Sequence, residues 1–432
     1  MDVIETAVAA RAASLPLAAV PTQTKNRALA EIGRALCDRS AEIIAANKQD
    51  LAAAEQGGLA GPLLKRLKFD QAKIDEVCAG IESLVKLPDP VGGILDATEL
   101  DDGLELYKVS CPIGVIGVVF ESRPDALVQI STLCLKSGNA VLLKGGSEAA
   151  ATNRILAEII AGAAGRAGLP EGWIQLLETR QEVAAMLALD NYIDLVIPRG
   201  SNEFVRYIMD NTNVPVLGHA DGICHVYVDA AADIEMAVRI AVDSKCQYVA
   251  VCNAAETLLA HSKIAGELLP KLGAALQQKK VELRGCERTA AIIDVRPATE
   301  QDWATEYLDY ILAIRIVDSL DEAIEHINTY GSGHTDAIVT ADREAAVRFM
   351  NLVDSAGVFW NASTRFADGY RYGLGAEVGI STNKIHARGP VGLEGLIIYK
   401  YKLVGRGQIA GDYSGQGGRK FTHRKMEDVL EE

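Results

Sequence analysis

The spacing of hydrophobic positions changes along the chain and predicts three kinds of segment. Up to Leu87 the apolar residues recur at helical spacing, most clearly between Asn26 and Asn47, which predicts amphipathic helices that need a surface to pack on. From Pro112 onward, short apolar runs alternate with helical segments. The predicted strands of this part are Ile113–Phe120, Ala140–Leu143, Ile174–Leu177, Leu195–Ile197 and Val214–Leu217. Such alternation predicts a parallel sheet covered by helices, with ligands at the carboxyl ends of the strands.

A second α/β series follows Cys252. Its predicted strands are Thr257–Leu259, Ala290–Ile293, Ala313–Val317, Ala337–Val339 and Gly357–Trp360, and the predicted helices between them are Ile264–Gln278, Leu320–Tyr330 and Arg343–Val353. This is enough secondary structure for a second domain with its own core. The predicted fold class is therefore α/β with two α/β domains and parallel-rich sheets.

Two further segments alternate apolar and polar residues, as solvated strands do. They are Gly103–Ser110 and Leu396–Leu403, and we expect them to pair in a small β arm outside the main cores. The chain beyond Gly405 is rich in glycine and charge, and we expect it to be a poorly ordered tail.

Charge and cysteine content narrow the possible partners. The net charge is −15 with no long basic run, so nucleic acid and anionic membranes are poor partners, whereas an anionic small molecule remains compatible. No stretch of about 18 apolar residues and no secretory signal is evident, which leads us to expect a cytoplasmic location. The eight cysteines contain no C-x-x-C pair, and in a reducing compartment they stay free.

Two strand-to-helix turns suit a dinucleotide. The turn Lys144–Glu148 combines two glycines with a positive charge at a helix start, and Pro198–Asn202 repeats the arrangement one unit later. A G-x-G-x-x-G fingerprint is absent, and each turn could be glycine-rich only because the chain must reverse there.

Three arginines lie in apolar or glycine-rich surroundings: Arg123, Arg365 and Arg388. A guanidinium suits carboxylate or phosphate, although an internal ion pair is the alternative for each. The seven histidines show no H-x-x-x-H and no Cys/His cluster in the sequence, so we expect no metal site.

Cys252 lies where a predicted helix gives way to a predicted strand. A thiol at such a junction can point into a cleft, or it can simply be a packed cysteine. A helix C-terminus nearby would raise the pKa of a thiol, so the position alone does not explain a reactive thiolate.

Taken together, six ordered blocks resemble the γ-glutamyl phosphate reductase family, a branch of the aldehyde dehydrogenase superfamily. The blocks are Cys111–Pro124, Leu135–Ala140, Cys252–Leu259, Tyr330–Asp336, Asn361–Phe366 and His386–Pro390. The resemblance implies an NADP-binding domain over 1–99 and 118–243, a catalytic domain over 244–367, an oligomerisation arm from 100–117 and 385–404, a loop over 368–384 that returns to the cofactor domain, and a tail over 405–432.

The resemblance also implies roles for individual residues. Cys252 would be the nucleophile, with the amide of Asn253 as a candidate oxyanion donor. The implied cofactor-binding residues are Lys144, Ser147, Glu148, Gly200, Ser201 and Glu306, and the implied substrate-binding residues are Arg123, Arg365 and Arg388.

The implied reaction is the NADPH-dependent reduction of L-glutamyl 5-phosphate to L-glutamate 5-semialdehyde in proline biosynthesis, through a thioester on Cys252 and with release of phosphate. The stretch Leu217–Gly222 lacks the glutamate with which aldehyde-oxidising relatives activate water. The implied partners are copies of the same chain, joined through the β arm, and the upstream glutamate kinase. Two alternatives remain: another aldehyde dehydrogenase, oxidising or CoA-acylating, and a non-catalytic scaffold of the same fold.

Overall fold

The structure, a computed structural model, describes residues 3–59, 61–178, 180–219 and 221–427, and these described residues form the following helices and strands. The α-helices are α1 Val3–Ala18, α2 Thr22–Asp38, α3 Ser40–Gln56, α4 Gly61–Leu67, α5 Gln71–Lys86, α6 Pro124–Lys136, α7 Ala150–Arg166, α8 Arg180–Leu187, α9 Asn202–Asp210, α10 Ile234–Cys246, α11 Ser262–Gln278, α12 Glu287–Ala290, α13 Leu320–Tyr330 and α14 Arg343–Leu352. The strands are β1 Ile94–Asp101, β2 Leu104–Pro112, β3 Val115–Phe120, β4 Ala140–Gly145, β5 Ile174–Leu177, β6 Leu195–Arg199, β7 Cys224–Val228, β8 Ala255–His261, β9 Glu282–Gly285, β10 Arg296–Pro297, β11 Ile311–Val317, β12 Thr335–Val339, β13 Gly357–Trp360, β14 Gly379–Ser381, β15 Gly389–Val391, β16 Ile397–Val404 and β17 Arg424–Lys425. Across this described part of the chain, we find no helix with the length and apolar character needed to span a membrane.

Internal contacts divide the chain into two compact units. Unit 1 comprises residues 1–200, 208–216 and 392–432, and unit 2 comprises 201–207 and 217–391. The expected boundary at 243/244 therefore falls inside unit 2, because β7 and α10 pack with β8 around one core. The loop 368–384 likewise belongs to unit 2.

Unit 1 is built on a parallel sheet with the strand order β5-β4-β3-β6. Every residue of β3 and β4 is buried, as the continuous apolar runs predict for strands covered on both faces. The predicted strand Val214–Leu217 is reduced to a single bridge between Val196 and Val216. The amphipathic helix α2 packs on α5 and α7, which supplies the surface that the N-terminal helices require.

Unit 2 contains a seven-stranded sheet with the order β10-β9-β11-β8-β7-β12-β13, whose pairs are parallel. One core lies beneath α10 and α11, and a second lies around Tyr227 and Phe349. The predicted strand Ala290–Ile293 is wrong, because Ala290 ends α12 and Ile292 is exposed. The strand of this region is β9, in which Leu283 and Gly285 are buried.

The arm is a four-stranded antiparallel sheet with the order β16-β2-β1-β17. Pairing of β2 with β16 confirms the predicted partnership, in a register that runs from Ile397 opposite Pro112 to Val404 opposite Glu105.

The prediction of a poorly ordered tail is wrong for residues 405–427. These residues include a 3-10 helix, Ala410–Tyr413, and the strand β17, which pairs Lys425 with Thr98 of β1. The hydroxyl of Tyr413 donates to Asp101 at 2.9 Å. The free edge of β1 orders this segment, and a glycine-rich composition does not reveal such a partner. Residues 428–432 of the predicted tail lie outside the described residues.

Candidate active site

Three loops of unit 2 bring a thiol and two imidazoles to one edge of the seven-stranded sheet. Cys252 precedes β8, His219 precedes β7 and His334 directly precedes β12. Because β8, β7 and β12 are neighbouring parallel strands, their amino ends lie at the same edge. The thiol is therefore at the amino ends of this sheet, not at the carboxyl ends, where ligands of parallel sheets usually bind.

Close packing fixes the backbone of the Cys252 turn. The carbonyl oxygen of Cys252 accepts from the thiol of Cys224 at 3.2 Å. A Cβ on Gly222 would lie 2.4 Å from Cα of Cys252 and 2.2 Å from its carbonyl oxygen. Only a glycine at position 222 leaves room for this turn, so the segment before β7 determines where the thiol sits.

The thiol of Cys252 faces a neutral imidazole. Its Sγ lies 3.2 Å from Nε2 of His334, and the Nδ1 of that ring lies 2.9 Å from Oγ1 of Thr335. Burial, followed by the charge on His219, lowers the pKa of His334 well below 6.5. His334 is therefore unprotonated at neutral pH, and with its proton on Nδ1 the lone pair of Nε2 can accept the proton of the thiol.

His219 completes the group. Its Nδ1 lies 2.8 Å from the carbonyl oxygen of Ile380, and its ring meets that of His334 edge-on with 5.1 Å between centroids. One side-chain nitrogen or sulfur from each of His219, Cys252 and His334 lies within 4.8 Å of the others. Sequence motifs do not reveal this cluster, because Cys252 and His334 are 82 residues apart along the chain. The sequence signal that could have found the cluster is a cysteine or histidine within a few residues of the start of each of three buried strands, β7, β8 and β12.

Asn253 ties the Cys252 turn to the segment that carries Arg365. Its Nδ2 donates to the carbonyl oxygen of Ala367 at 2.8 Å, and Oγ1 of Thr364 donates to the carbonyl oxygen of Asn253 at 2.7 Å. Oδ1 of Asn253 is buried with no hydrogen-bond partner among the described residues. The visible role of Asn253 is thus to hold the turn, and its role as an oxyanion donor stays a prediction.

Arg365 supplies positive charge to the thiol. It is buried in a 3-10 helix, Thr364–Phe366, and its Nε donates to Oε1 of Gln247 at 2.9 Å. Burial, and then the charge of Arg371, lowers the pKa of Arg365, whereas its attraction to a thiolate on Cys252 acts in the opposite direction. A guanidinium near a thiol favours the thiolate, whereas a helix C-terminus opposes it.

The other two predicted arginines lie elsewhere. Arg388 is held by three contacts: Nε donates to the carbonyl oxygen of Thr382, Nη1 pairs with the Asp354 carboxylate at 3.1 Å, and Nη2 donates to the Asp354 carbonyl oxygen. This is the internal ion pair named as the alternative. Arg123 belongs to unit 1, where it follows β3 and lies 3.5 Å from Asp125.

The turn Lys144–Glu148 has the features of a cradle for a dinucleotide. It lies at the carboxyl end of β4, beside the carboxyl ends of β3 and β6. Cβ atoms added to Gly145 and Gly146 would meet the side chains of Asn153 at 2.1 Å and Glu148 at 2.0 Å, so a larger residue at either position would displace these side chains. The carboxylate of Glu148 accepts from the N–H and the hydroxyl of Ser122 at 2.6 and 2.7 Å. Lys144 is buried at the strand end and Ser147 begins a short 3-10 helix, Ser147–Ala149, ahead of α7. Glycines, a lysine and a helix start fit a phosphate-bearing cofactor.

The remaining predicted cofactor residues fall on both sides of the unit boundary. Gly200 follows β6 in unit 1, whereas Ser201 and Glu306 belong to unit 2. Oγ of Ser201 accepts from the N–H of Phe204 at the start of α9. Glu306 accepts from the amide of Asn202, and its pKa is raised by burial.

Comparison with known proteins decides the family. The aldehyde dehydrogenase family model matches residues 1–291. The chain is 68% identical over 426 residues to the γ-glutamyl phosphate reductase of Pelotomaculum thermopropionicum, covering 99% of this chain and 98% of that protein. The chain belongs to the γ-glutamyl phosphate reductases of the aldehyde dehydrogenase family. It is an oxidoreductase, and membership of the family implies a nicotinamide cofactor.

Other γ-glutamyl phosphate reductases support the same grouping. The enzyme of Ruminiclostridium cellulolyticum is 63% identical over the whole of both chains. The crystal structure of γ-glutamyl phosphate reductase from Thermotoga maritima matches with a TM-score of 0.93 at 43% identity, over 95% of this chain and 100% of that chain. An acetylating aldehyde dehydrogenase from Geobacillus thermoglucosidasius, 18% identical with a TM-score of 0.63 over 94% of this chain and 97% of that chain, shares the fold.

Proposed function

We propose that this chain catalyses the NADPH-dependent reduction of L-glutamyl 5-phosphate to L-glutamate 5-semialdehyde, with release of phosphate, as a step of proline biosynthesis. The observation that carries the proposal is the 3.2 Å approach of the Cys252 thiol to the buried, neutral His334 in a chain 68% identical to a γ-glutamyl phosphate reductase. A thiol beside a base, with a cation acting on it, is the arrangement of an activated nucleophile.

The first step transfers the acyl group to the protein. Nε2 of His334 takes the proton of Cys252 while Arg365 stabilises the thiolate. Sulfur attacks the carbonyl carbon of the acyl phosphate, and a thioester forms as the bond from carbon to the phosphate oxygen breaks. His334 then returns its proton to the departing phosphate, so it is neutral again when the thioester is complete.

The second step reduces the thioester. A bound nicotinamide supplies the hydride. The carbon–sulfur bond then breaks, the aldehyde leaves, and the Cys252 thiolate takes a proton from solvent. Among the described residues of the Leu217–Gly222 stretch, the side chain beside the thiol is that of His219 and not that of a glutamate base. This favours reduction of the thioester by hydride over its hydrolysis by water.

We assign the cofactor to the cradle of unit 1, with Lys144, Ser147 and Glu148 as its binding residues. Gly200, Ser201 and Glu306 stay candidates from the family resemblance alone. Lys144 provides the positive charge that a phosphate requires. Arg365 is the leading candidate for the anionic groups of the substrate, because it acts on Cys252 within the same unit. Arg123 and Arg388 stay candidates from the family resemblance alone.

We also propose that copies of the chain join through the arm. The edge strand β16 exposes Tyr399, Tyr401 and Leu403, a pattern typical of a strand that another chain covers. Tyr401→Asp should lower the mass measured by light scattering if the proposal holds, and an unchanged mass would remove β16 from the contact.

Phosphate dependence tests the reaction. Assayed in reverse, the enzyme should reduce NADP with the semialdehyde only when inorganic phosphate is present, because phosphate must attack the thioester to release the product. Reduction of NADP without phosphate would favour an oxidising aldehyde dehydrogenase instead. Replacing phosphate by coenzyme A tests the acylating alternative in the same assay.

Cys252→Ser tests the nucleophile. Turnover should fall by at least about 10³-fold while the circular dichroism spectrum is unchanged. Cys286→Ser, at another half-buried free thiol of unit 2, is the matched control and should keep its turnover. Near-normal turnover of Cys252→Ser would exclude the thioester and leave the non-catalytic scaffold or a different nucleophile.

A further inference from the structure

The side chains of Cys252, His219 and His334 can bind a metal ion as well as transfer a proton. A thiolate and two imidazoles are the ligands that Zn²⁺ prefers, and hard cations such as Mg²⁺ do not favour them. One ligand atom from each residue lies within 4.8 Å of the other two. Tetrahedral zinc, with bonds of about 2.0–2.3 Å, holds its ligand atoms roughly 3.3–3.7 Å apart. The 3.2 Å between Sγ of Cys252 and Nε2 of His334 is close to that separation. Side-chain movements of about an ångström would bring all three ligand atoms, which lie within 4.8 Å of one another, to this spacing.

Hydrogen bonds around the group orient both imidazoles for a cation. The carbonyl oxygen of Ile380 can only accept, so the 2.8 Å contact puts a proton of His219 on Nδ1, and in the neutral form of the ring Nε2 carries the lone pair that a cation can use. The Nδ1 of His334 lies 2.9 Å from Oγ1 of Thr335, and its Nε2 faces the thiol. An outer contact that fixes the tautomer and ring orientation is the usual support of a histidine ligand in a zinc site.

The backbone also restrains the group. Gly222 is packed against Cys252, and the carbonyl oxygen of Cys252 accepts from Cys224. These contacts hold the loop before β7 and the loop before β8 together. A cation would therefore meet ligands that are already gathered, and little ordering of the chain would oppose its binding.

We propose that Zn²⁺ binds reversibly to Cys252, His219 and His334 and blocks the nucleophile. On binding, a zinc–sulfur bond forms and the thiol releases its proton, with no change of oxidation state. Three protein ligands leave a fourth position for water. The bound cation occupies the sulfur lone pair that must attack the carbonyl carbon, so it acts against turnover. The block of turnover rests on the proposed function, whereas the binding of zinc does not.

Binding is tested on the reduced, metal-free full chain without substrates. Calorimetric titration with Zn²⁺ should give one site that is lost in Cys252→Ser and weakened at least tenfold in His219→Ala. Co²⁺ used as a spectroscopic probe should show the intense bands of a tetrahedral ion together with a thiolate charge-transfer band, and this band should be absent from Cys252→Ser. Cys37→Ser is the matched control, because the sulfurs of Cys37 and Cys78 lie 2.9 Å apart and would offer a competing site to a thiophilic cation.

The outcomes separate the two proposals. Equal zinc affinity of the wild type and His219→Ala, loss of the site in Cys37→Ser, or a six-coordinate Co²⁺ spectrum would overturn the zinc site even if Cys252 is the nucleophile. One equivalent of Zn²⁺ should also abolish turnover of the wild type, and a chelator should restore it. Tight binding with the predicted spectrum but unchanged turnover would retain the site and contradict its inhibitory role, and with it the role of Cys252.

Discussion

At the residue scale, the surroundings of the Cys252 thiol are set by side chains that are distant in sequence. His334 supplies a neutral base, and Arg365 supplies a positive charge. Neither interaction is visible in the residues that flank the cysteine, among which the end of α10 would oppose a thiolate. The position of the thiol next to these groups is therefore the property most sensitive to substitution.

His334→Gln should lower kcat by about 10²–10⁴-fold with little change in KM, because the variant keeps a polar side chain but cannot take the proton of Cys252. Alkylation of Cys252 by iodoacetamide should slow in parallel. The matched control is His326→Asn, at another buried histidine of the same unit, which should keep its kcat. Equal losses in the two variants would indicate that His334 acts only through the stability of unit 2.

Gly222→Ala should displace the thiol. Its new methyl group would lie 2.2–2.5 Å from atoms of Cys252, so the turn must move, at a cost of about 1–3 kcal/mol in stability and a loss of turnover. Gly266→Ala is the control: it lies exposed in α11, the added carbon would meet no atom within 4 Å beyond the adjacent residues and the backbone of its own helix, and the substitution should stabilise the protein by up to about 1 kcal/mol. Thermal unfolding and kcat measure both effects. Full turnover in Gly222→Ala would contradict the proposed dependence on this contact.

At the scale of elements, the edge of β1 is covered by the segment that follows β16. Strand β17 pairs with β1, and Tyr413 and Arg419 both bond to the carboxylate of Asp101. An uncovered edge strand presents unpaired N–H and C=O groups and tends to associate. The segment is therefore part of the arm.

Deletion of residues 405–432 should expose β1. We expect faster hydrogen exchange of the amides in residues 94–101, a lower unfolding temperature and greater aggregation on heating. Tyr413→Phe removes only the hydroxyl that donates to Asp101 and should cost about 1 kcal/mol. Unchanged exchange in the deletion variant would show that the segment does not protect this strand.

At the scale of the whole molecule, two buried histidines link stability to pH. Burial, with smaller contributions from His225 and Arg315, lowers the pKa of His326 to about 3, and burial also lowers the pKa of His334 well below its ordinary value. Below about pH 6.5 the unfolded chain takes up protons that the folded chain refuses. The contribution of these two histidines to stability is therefore full above the unfolded pKa and is lost as pH falls from about 6.5 towards 3.

His326→Asn should flatten this dependence. The variant can still accept from Arg315 but cannot take up a proton, so the slope of the unfolding free energy should fall by about 1 kcal/mol per pH unit, averaged between about pH 7 and about pH 5. Urea unfolding between about pH 7 and about pH 5 measures the slope. Part of the slope remains in the variant, because His334 still takes up a proton when the chain unfolds. A parallel shift of the curve, with its slope unchanged, would contradict the pKa of His326.

Helices and strands that are determined by the local pattern of apolar and polar residues could be predicted from the sequence alone. A run such as Val115–Phe120 can only be stable as a strand covered on both faces, and the alternation of β2 and β16 predicts a solvated pair. The ordered blocks around Cys252 identified the family, since a motif of that length carries information that a single residue does not.

Contacts between distant segments set the features that no local pattern predicted. They placed 217–243 with the second unit, ordered residues 405–427 on the edge of β1, and put the thiol at the amino ends of its sheet. They also brought His219 and His334 to Cys252. These outcomes follow from which strands become neighbours, and the order of strands in a sheet is set by the packing of the whole unit and not by the periodicity of any one segment.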